Sequence, residues 1–161
     1  MTNVFFISDL HLGHKNIVKF EQNRLGYYVD NIDEHDALLE ECWHDTVRNK
    51  DLVYVLGDVA FNIPALERFA LWPGRKILIA GNHDTLKYDY WEIFDRIFGV
   101  IAYKDFWLSH CPVHPDEIRG KVNVHGHMHS KTIDDPRYFN VSVEQLQGIP
   151  MSLEELKARA L

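Results

Sequence analysis

Short apolar runs rich in β-branched residues alternate with longer polar stretches in the first half of the chain. Residues 4–7, 52–56 and 76–80 are such runs, and a polar or glycine turn follows each. This pattern is typical of strands that are buried on both faces. The stretches between them have helical periodicity, and strands that alternate with helices predict a parallel sheet.

The helical stretches carry recognisable start signals. Asn31 and Glu34 have the spacing of a capping box, and apolar residues follow on one helical face, namely Leu38, Leu39, Cys42, Trp43 and Val47. A second helix is predicted from Pro64 to residue 71. A third is predicted to start at Asp89, with Glu92 in the capping position.

The second half of the chain has a different pattern of predicted elements. Four strands without obvious helices between them are predicted, at residues 100–103, 106–109, 122–125 and 138–143. A final helix over residues 152–160 opens with the capping box Ser152-x-x-Glu155. Since no repeat or Gly/Ser linker interrupts the sequence, we expect one domain over residues 1–161, built from two packed sheets with helices outside.

Composition narrows the class of protein. The formal net charge is −7 and the 17 Lys and Arg are scattered, so there is no basic stripe to hold long duplex nucleic acid. No apolar stretch approaches the ~20 residues of a bilayer span, and the first residues lack the basic region of a secretory leader. Cys42 and Cys111 are too far apart in sequence to suggest a disulfide framework. We therefore expect a cytoplasmic protein that does not bind membranes; the sequence leaves its oligomeric state open.

Polar residues of metal-binding type follow five predicted strands. They form the segments Asp9-x-His11, Gly57-Asp58, Gly81-Asn82-His83-Asp84, His110 and Gly126-His127-x-His129. An extended backbone would point residues i and i+2 to one side. Ligands of α/β sheets bind outside the carboxyl ends of strands. One such segment alone is usually a turn, but five at strand ends favour a shared site.

These five segments resemble those of the calcineurin-like, or binuclear, metallophosphoesterases, and they span most of the chain. The resemblance implies an α/β fold, a four-layer α/β/β/α sandwich of two mixed sheets flanked by helices. It also implies a two-metal centre that hydrolyses phosphate esters by attack of a metal-bridging hydroxide on phosphorus. Asp58 would bridge two metals, one held also by Asp9, His11 and His129, and the other by Asn82, His110 and His127.

The chemistry of these residues agrees with that implication. Two divalent ions, two carboxylates and a hydroxide leave a net charge of about +1, which attracts a phosphate ester to an otherwise acidic protein. Ligands of mixed nitrogen and oxygen type without thiolate favour Mn²⁺, with Fe²⁺, Zn²⁺, Ni²⁺ and Mg²⁺ as alternatives. His83, next to Asn82, is placed to donate a proton to the leaving oxygen or to stabilise charge there.

Other histidines near these segments have two interpretations each. His14 and Asn16 follow the first segment and could line the entrance for phosphate, or belong to an exposed turn. His114 could contact the leaving group or be a solvated loop residue. His125 shares parity with His127, but its deeper position in the strand predicts a hydrogen-bonding role rather than ligation.

Three further residues are predicted to have no direct role. Cys111, although next to His110, is expected to be packed as a small apolar residue. His35 and His44 lie on the helix that starts at Asn31 and are expected at the surface.

The substrate is predicted to be a small phosphate ester. Gly57-Asp58 continues with Val59-Ala60, whereas the Ser/Thr protein phosphatases continue with Asp-Arg-Gly, and the sequence leaves no room for a cap domain between the segments. We expect small, nucleotide-type or similar phosphodiesters to be preferred, with phosphomonoesters as the alternative. Two non-enzyme alternatives are an interaction scaffold of the same fold and a metal-storage module.

Overall fold

The chain forms two β-sheets in a computed structural model, which describes residues 2–87 and 90–161. The strands of the first sheet are β1 Val4–Ile7, β2 Leu52–Val55, β3 Arg75–Ile79, β4 Arg96–Phe98 and β9 Met151–Ser152. Their order is β4-β3-β2-β1-β9. Neighbouring strands from β1 to β4 are parallel, and β9 pairs antiparallel with β1. The predicted parallel sheet is therefore confirmed, and two short edge strands extend it.

The second sheet contains β5 Val100–Tyr103, β6 Phe106–Ser109, β7 Val122–His125 and β8 Tyr138–Asn140, in that order. β5 and β6 form an antiparallel pair, whereas β6, β7 and β8 are parallel. The strand predicted over residues 138–143 ends earlier than expected. Ser142 already occupies the N-cap of a helix, so the chain leaves the sheet before Val143.

Six α-helices are described, namely α1 Ile17–Phe20, α2 Ile32–Thr46, α3 Ile63–Ala70, α4 Tyr90–Ile93, α5 Val143–Leu146 and α6 Leu153–Ala160. The sequence predicts no helix in the second half before the last one, and this prediction is corrected: a 3₁₀ turn lies at Pro115–Glu117, and α5 follows β8. The longest of the described helices has 15 residues, and none of them is long and apolar enough to cross a membrane.

Two of the predicted helix starts are confirmed by their hydrogen bonds. The Asn31 side chain accepts from the backbone N–H groups of Asp33 and Glu34, and Ser152 Oγ accepts from the N–H of Glu155. Each bond satisfies an N–H that has no partner within the helix. The N-cap predicted at Asp89 lies outside the described residues.

Aromatic side chains pack between the two sheets and between two of the helices. The Tyr103 ring, on β5, has its centroid 6.1 Å from that of Phe6 on β1 and 5.0 Å from that of Tyr54 on β2. Outside the first sheet, Trp43 on α2 packs against Phe69 on α3, with ring centroids 5.3 Å apart. The predicted α/β sandwich of two mixed sheets flanked by helices is thereby confirmed.

The two histidines of α2 have different environments. His44 is exposed, as predicted, but His35 is fully buried and the prediction for it is wrong. His35 lies four and eight residues before Leu39 and Trp43, and therefore on the same buried face. Its Nδ1 is 2.8 Å from Asp36 Oδ1, which gives the buried ring a polar partner.

Candidate metal centre

The loops after β1, β2 and β7 contain five non-glycine residues with left-handed backbone. They are Asp9 (φ 60°), His11 (φ 51°), Asp58 (φ 55°), His127 (φ 65°) and His129 (φ 51°). This conformation is uncommon for such residues and costs on the order of 1 kcal/mol each. The expected extended backbone at the Asp-x-His and His-x-His segments is therefore wrong. The side chains converge because the chain turns at each of these residues.

Two glycines allow the loops to approach one another closely. A Cβ on Gly126 would lie 1.9 Å from Ser8 Oγ and 2.3 Å from Asp9 Oδ2. A Cβ on Gly81 would lie 2.3 Å from Asp58 Oδ1. All three distances are far below van der Waals contact, so a side chain at either position would displace a carboxylate of the site.

Asp84 ties the loops after β2 and β3 together. Its buried carboxylate accepts hydrogen bonds from the backbone N–H groups of Asp58 (2.9 Å), Val59 (3.0 Å) and Gly81 (2.8 Å). The Tyr90 hydroxyl donates to the same carboxylate at 3.3 Å. The sequence places Asp84 within a candidate segment but gives no sign of this function, since two of its partners are backbone groups of another loop.

The first group of side chains surrounds Asp9. Asp9 Oδ1 lies 3.6 Å from His11 Nε2 and 3.7 Å from His129 Nε2, so these three atoms can share one cation. Among the described residues, Asp9 Oδ1 and His11 Nε2 are buried and have no hydrogen-bond partner. Burying such atoms without a partner is costly. A cation between them would satisfy both.

The second group lies on the other side of Asp58. Asp58 Oδ2 is 3.5 Å from His11 Nε2 and 3.4 Å from His110 Nε2, so this one oxygen faces both groups. Asn82 Oδ1 lies 2.9 Å from His110 Nε2 and 3.0 Å from His127 Nδ1. The structure thus brings together all seven residues that the sequence proposes as ligands.

Hydrogen bonds on the far side of two imidazoles set their orientation. His110 Nδ1 is 2.7 Å from the Leu56 carbonyl, and His129 Nδ1 is 2.9 Å from Glu144 Oε1. Each Nδ1 therefore carries a proton, so that loss of the second proton of the ring frees Nε2, whose lone pair is then directed into the cluster. Arg24 Nε in turn lies 3.1 Å from Glu144 Oε1, and its guanidinium also donates to the Asp9 carbonyl.

Sequence reasoning missed Glu144 and Arg24. Neither lies in a candidate segment; Glu144 is on α5, and Arg24 follows α1. Both side chains are buried, at 4% and 1% exposed. Burial of charged residues cannot be read from their isolated positions in the sequence.

The pKa values reflect close opposite charges. Burial alone would raise the pKa of Asp9, but the His11 side chain and the charges of His110 and His129 outweigh it and lower the pKa to about 2. His11 and His110 likewise hold the pKa of Asp58 well below its usual range despite burial.

The pKa values of two imidazoles are raised instead of lowered. Burial would lower the pKa of His110, yet the hydrogen bond with Asp58 and the charge of Asp9 raise it to about 9. Glu144 raises the pKa of His129 in the same way, against the effect of burial. In the absence of cations, protonated imidazoles therefore compensate the ionised carboxylates.

This donor set fits divalent cations. Carboxylate oxygens, an amide oxygen and imidazole nitrogens are ligands that Mn²⁺, Fe²⁺ and Zn²⁺ accept. The carboxylates are already ionised at neutral pH, and two buried donor atoms lack any other partner. His and Asp side chains of this cluster can therefore hold metal.

Two predicted residues lie beside the cluster. His83 is exposed, and its backbone N–H donates to Asp58 Oδ1 at 2.9 Å. His14 Nδ1 is 3.0 Å from His11 Nδ1, and the His14 ring stacks on Phe61 with centroids 4.0 Å apart. Phe61 has its ring centroid 4.9 Å from those of both His11 and His83. The structure thus adds an aromatic residue that the sequence does not identify.

The other neighbours make local contacts. Asn16 is exposed at the N-cap of α1 without a side-chain capping bond. His114 is 72% exposed, and its Nδ1 accepts from the N–H of Asp116. His125 is buried with Nδ1 2.8 Å from the carbonyl of Gly126, which is not one of the proposed ligands.

Cys111 differs from its prediction. It is exposed rather than packed in the interior. Its Sγ lies within 4.8 Å of ligand atoms of His110 and His127. The chain turns outward directly after His110, which moves the thiol away from the core. Burial and the charges of Asp58 and Asp9 raise its pKa, so the thiol form is favoured.

Comparisons with known proteins agree with this arrangement. The family model described as calcineurin-like phosphoesterase matches residues 2–158. Gene 66 protein of Mycobacterium phage L5 is 33% identical, over 83% of this chain and 80% of its own length. Uncharacterized protein MJ1445 of Methanocaldococcus jannaschii is 32% identical, over 96% of this chain and 89% of its own.

Two solved structures are also similar. The protein of unknown function AQ665 from Aquifex aeolicus has a TM-score of 0.78 and 25% identity, with 98% of this chain and 99% of its own covered. Nuclease MPE from Pseudomonas putida has a TM-score of 0.51 and 18% identity, over 78% of this chain and 60% of its own, which shows a shared fold. With the family model matching nearly its whole length, this chain belongs to the calcineurin-like phosphoesterase family.

Proposed function

We propose that this protein is a phosphodiesterase that hydrolyses small phosphate diesters, of nucleotide type or similar, at a centre of two divalent cations. The position of Asp58 carries the proposal, because its Oδ2 faces His11 Nε2 at 3.5 Å and His110 Nε2 at 3.4 Å. A carboxylate shared by two donor groups suits a two-metal centre. Asp58 would hold both cations, one with Asp9, His11 and His129, and the other with Asn82, His110 and His127.

When bound, two divalent cations supply an activated water at neutral pH and neutralise charge on the phosphoryl oxygens. The protein itself contributes orientation. Asp84 fixes the backbone at Asp58 through two N–H groups, and Glu144 fixes the ring of His129. Since the carboxylates are ionised at neutral pH, loading requires proton loss only from the imidazoles.

His83 is assigned to the leaving group. Its backbone N–H bonds to Asp58 Oδ1, which keeps its exposed side chain beside the shared carboxylate. It is not needed as a ligand, because seven other side chains already form the two donor groups. From this position it can donate a proton to the leaving oxygen or stabilise charge there.

The charge of the centre supports a diester as the substrate. With two cations, the centre has a net charge of about +1. A diester carries one negative charge, which this centre compensates, whereas a monoester dianion would leave an uncompensated charge. We therefore expect monoesters to be slower substrates.

Mn²⁺ is the cation that we expect to support activity best, because the proposed ligands are oxygen and nitrogen atoms. Fe²⁺, Zn²⁺, Ni²⁺ and Mg²⁺ suit the same donors. Cytoplasmic action belongs to the same proposal and agrees with two free cysteines, Cys42 and Cys111.

The test compares a chromogenic diester, bis(p-nitrophenyl) phosphate, with p-nitrophenyl phosphate. Chelation should abolish turnover of both and lower the melting temperature, because cations bind the folded state preferentially. Readdition of Mn²⁺ should restore both properties, with the higher kcat/KM for the diester.

Each alternative has its own outcome. Turnover that survives complete removal of metal would contradict the two-metal mechanism. A higher kcat/KM for the monoester with the same metal would identify a phosphomonoesterase. Metal binding without turnover of either ester would point to a storage module, and absence of both to an interaction scaffold.

A further inference from the structure

A cavity of about 260 Å³ lies beside His83, outside the group of proposed ligands. Its walls come from the loop after β2 with the first turn of α3, and from the segment after β3 with α4. These are the loops that carry Asp58 and Asn82. The lining includes Phe61, Ile63, Leu66, His83, Thr85 and Tyr90.

The cavity adjoins the candidate centre through two rings. Phe61 and His83 both line it, and their ring centroids are 4.9 Å apart. The Phe61 centroid is also 4.9 Å from that of His11, one of the proposed ligands. The cavity therefore lies next to the position that a phosphate at the centre would occupy.

Apart from His83, the polar side chains around the cavity are already engaged in hydrogen bonds. The Tyr90 hydroxyl donates to Asp84. Asn62, at the rim, accepts from the N–H of Ala65 and donates to the carbonyl of Gly13. Thr85 Oγ1 accepts from the N–H of Lys87. The remaining surface is formed by rings and aliphatic groups, which select a ligand by shape and apolar character.

We infer that this cavity is the subsite for the leaving group of the substrate and that it takes a flat, apolar group such as an aromatic ring. The inference rests on the proposed function, because His83 is assigned to the leaving oxygen and lines the cavity. Its volume lies below the range for drug-sized ligands, so a single ring system is the expected occupant.

Ile63 provides a variant that leaves the proposed ligands untouched. It is 43% exposed and occupies the first position of α3. Aspartate is well tolerated in a first helical turn, so Ile63→Asp should fold while placing a charge in the wall. Ile149, 52% exposed and not among the cavity residues, supplies the matched control Ile149→Asp.

The first measurement is binding to the Mn²⁺-loaded protein by calorimetry. Two non-hydrolysable phosphinates are compared, in which P–C bonds replace both ester bonds; both carry a methyl group, and the second group is benzyl in one and methyl in the other. The benzyl compound should bind about tenfold more tightly to wild type and to Ile149→Asp, and Ile63→Asp should remove most of this difference. An equal benzyl preference in Ile63→Asp would overturn the subsite.

The second measurement distinguishes the two sides of the phosphorus atom. Two diesters share a methyl group but have leaving groups of equal acidity, one aromatic and one a fluorinated alcohol. The aromatic advantage in kcat/KM should shrink about tenfold in Ile63→Asp. An aromatic advantage that is unchanged in Ile63→Asp would show that the assignment to the leaving group is wrong.

The two proposals can fail separately. Diester hydrolysis with an unaltered benzyl preference in Ile63→Asp would leave the proposed function standing and remove the subsite. Loss of the benzyl preference in a protein that hydrolyses no diester would keep the binding site and remove the proposed function.

Discussion

One oxygen atom, Asp58 Oδ2, lies close to both donor groups of the candidate centre. Asp58 Oδ2 lies 3.5 Å from His11 Nε2 and 3.4 Å from His110 Nε2, whereas Asp9 Oδ1 has its short contacts with His11 and His129 and is farther from His110. The two carboxylates therefore have unequal importance, although both are buried and both have lowered pKa values. This inequality distinguishes a shared centre from two independent sites.

Asp58→Ala should remove both cations, since each loses a carboxylate ligand, whereas Asp9→Ala should weaken mainly one. Metal analysis after gel filtration measures the bound ions per chain. Asp45, an exposed residue of α2, gives the control Asp45→Ala, which should retain wild-type metal content. Full metal content in Asp58→Ala would show that the carboxylate is not shared.

His83→Ala should leave metal content unchanged and reduce kcat, because the side chain acts on the leaving oxygen. General acid catalysis contributes typically 10² to 10⁴-fold, or ~3 to 5 kcal/mol. The defect should be small for good leaving groups such as nitrophenolate and grow as the leaving-group pKa rises. A series of aryl esters measures this slope, and an equal defect for every ester would exclude His83 as the proton donor.

Short elements provide much of what holds the cluster in place. The helix α5 has only four residues, yet it brings Glu144 against His129, and Glu144 in turn faces Arg24 from the segment after α1. A carboxylate behind an imidazole fixes its orientation and increases its basicity. Elements far apart in sequence thus determine how one proposed ligand is presented.

Glu144→Gln should lower the affinity for Mn²⁺ by about 10- to 100-fold, because the negative charge behind His129 is lost while the shape is retained. Calorimetric titration measures the affinity. Thermal unfolding without metal measures the separate cost of leaving the buried Arg24 without its partner. Glu154→Gln, at an exposed position of α6, is the control. Unchanged Mn²⁺ affinity in folded Glu144→Gln would refute this role.

The elements that the sequence predicts correctly are those with a strong local signal. The strand β1 has its predicted bounds because its residues are apolar on both faces, and Asn31 and Ser152 cap helices as expected. The short strands β4 and β9 have two or three residues, too few to show a period. Their pairing depends on contacts with distant parts of the chain.

The candidate site, like the fold, can be predicted only in part from the sequence. Residue types and strand-end positions point to the five segments, and the resemblance to the metallophosphoesterases implies the seven proposed ligands and His83 within them. They do not reveal the left-handed backbone at Asp9 and His11, since closely packed loops impose it. Nor do they reveal the exposure of Cys111, which depends on the direction of the chain after β6.

Charged residues are distributed unevenly between the surface and the interior of the protein. Most of the residues behind the net charge of −7 are at the surface, where water and salt screen them. Lys76 on β3 is an exception, being only 4% exposed. Its ammonium donates to the carbonyls of Trp72 (2.6 Å) and Gly74 (3.3 Å). These bonds satisfy two carbonyls but do not replace the hydration of the charge.

The stability of the protein should therefore depend on the protonation of Lys76. Burial lowers its pKa from 10.5 to about 8, although the charge of Asp95 acts in the opposite direction. Between these values the unfolded chain binds a proton that the folded chain does not, so the free energy of unfolding should rise with pH. Below pH 8 both states are protonated, and the cost of the buried charge is fully present.

Lys76→Met removes this titration and keeps a side chain of similar length. The free energy of unfolding of wild type relative to Lys76→Met should increase by about 3 kcal/mol between pH 8 and pH 10.5. Denaturant unfolding at a series of pH values measures the difference in the free energy of unfolding. The pH-dependent contributions of the tyrosines and other groups common to both proteins cancel in this difference. Lys50→Met, at an exposed position before β2, should show a difference from wild type that is independent of pH. The same flat profile for Lys76→Met would mean that the ammonium is as well solvated in the folded protein as in the unfolded chain.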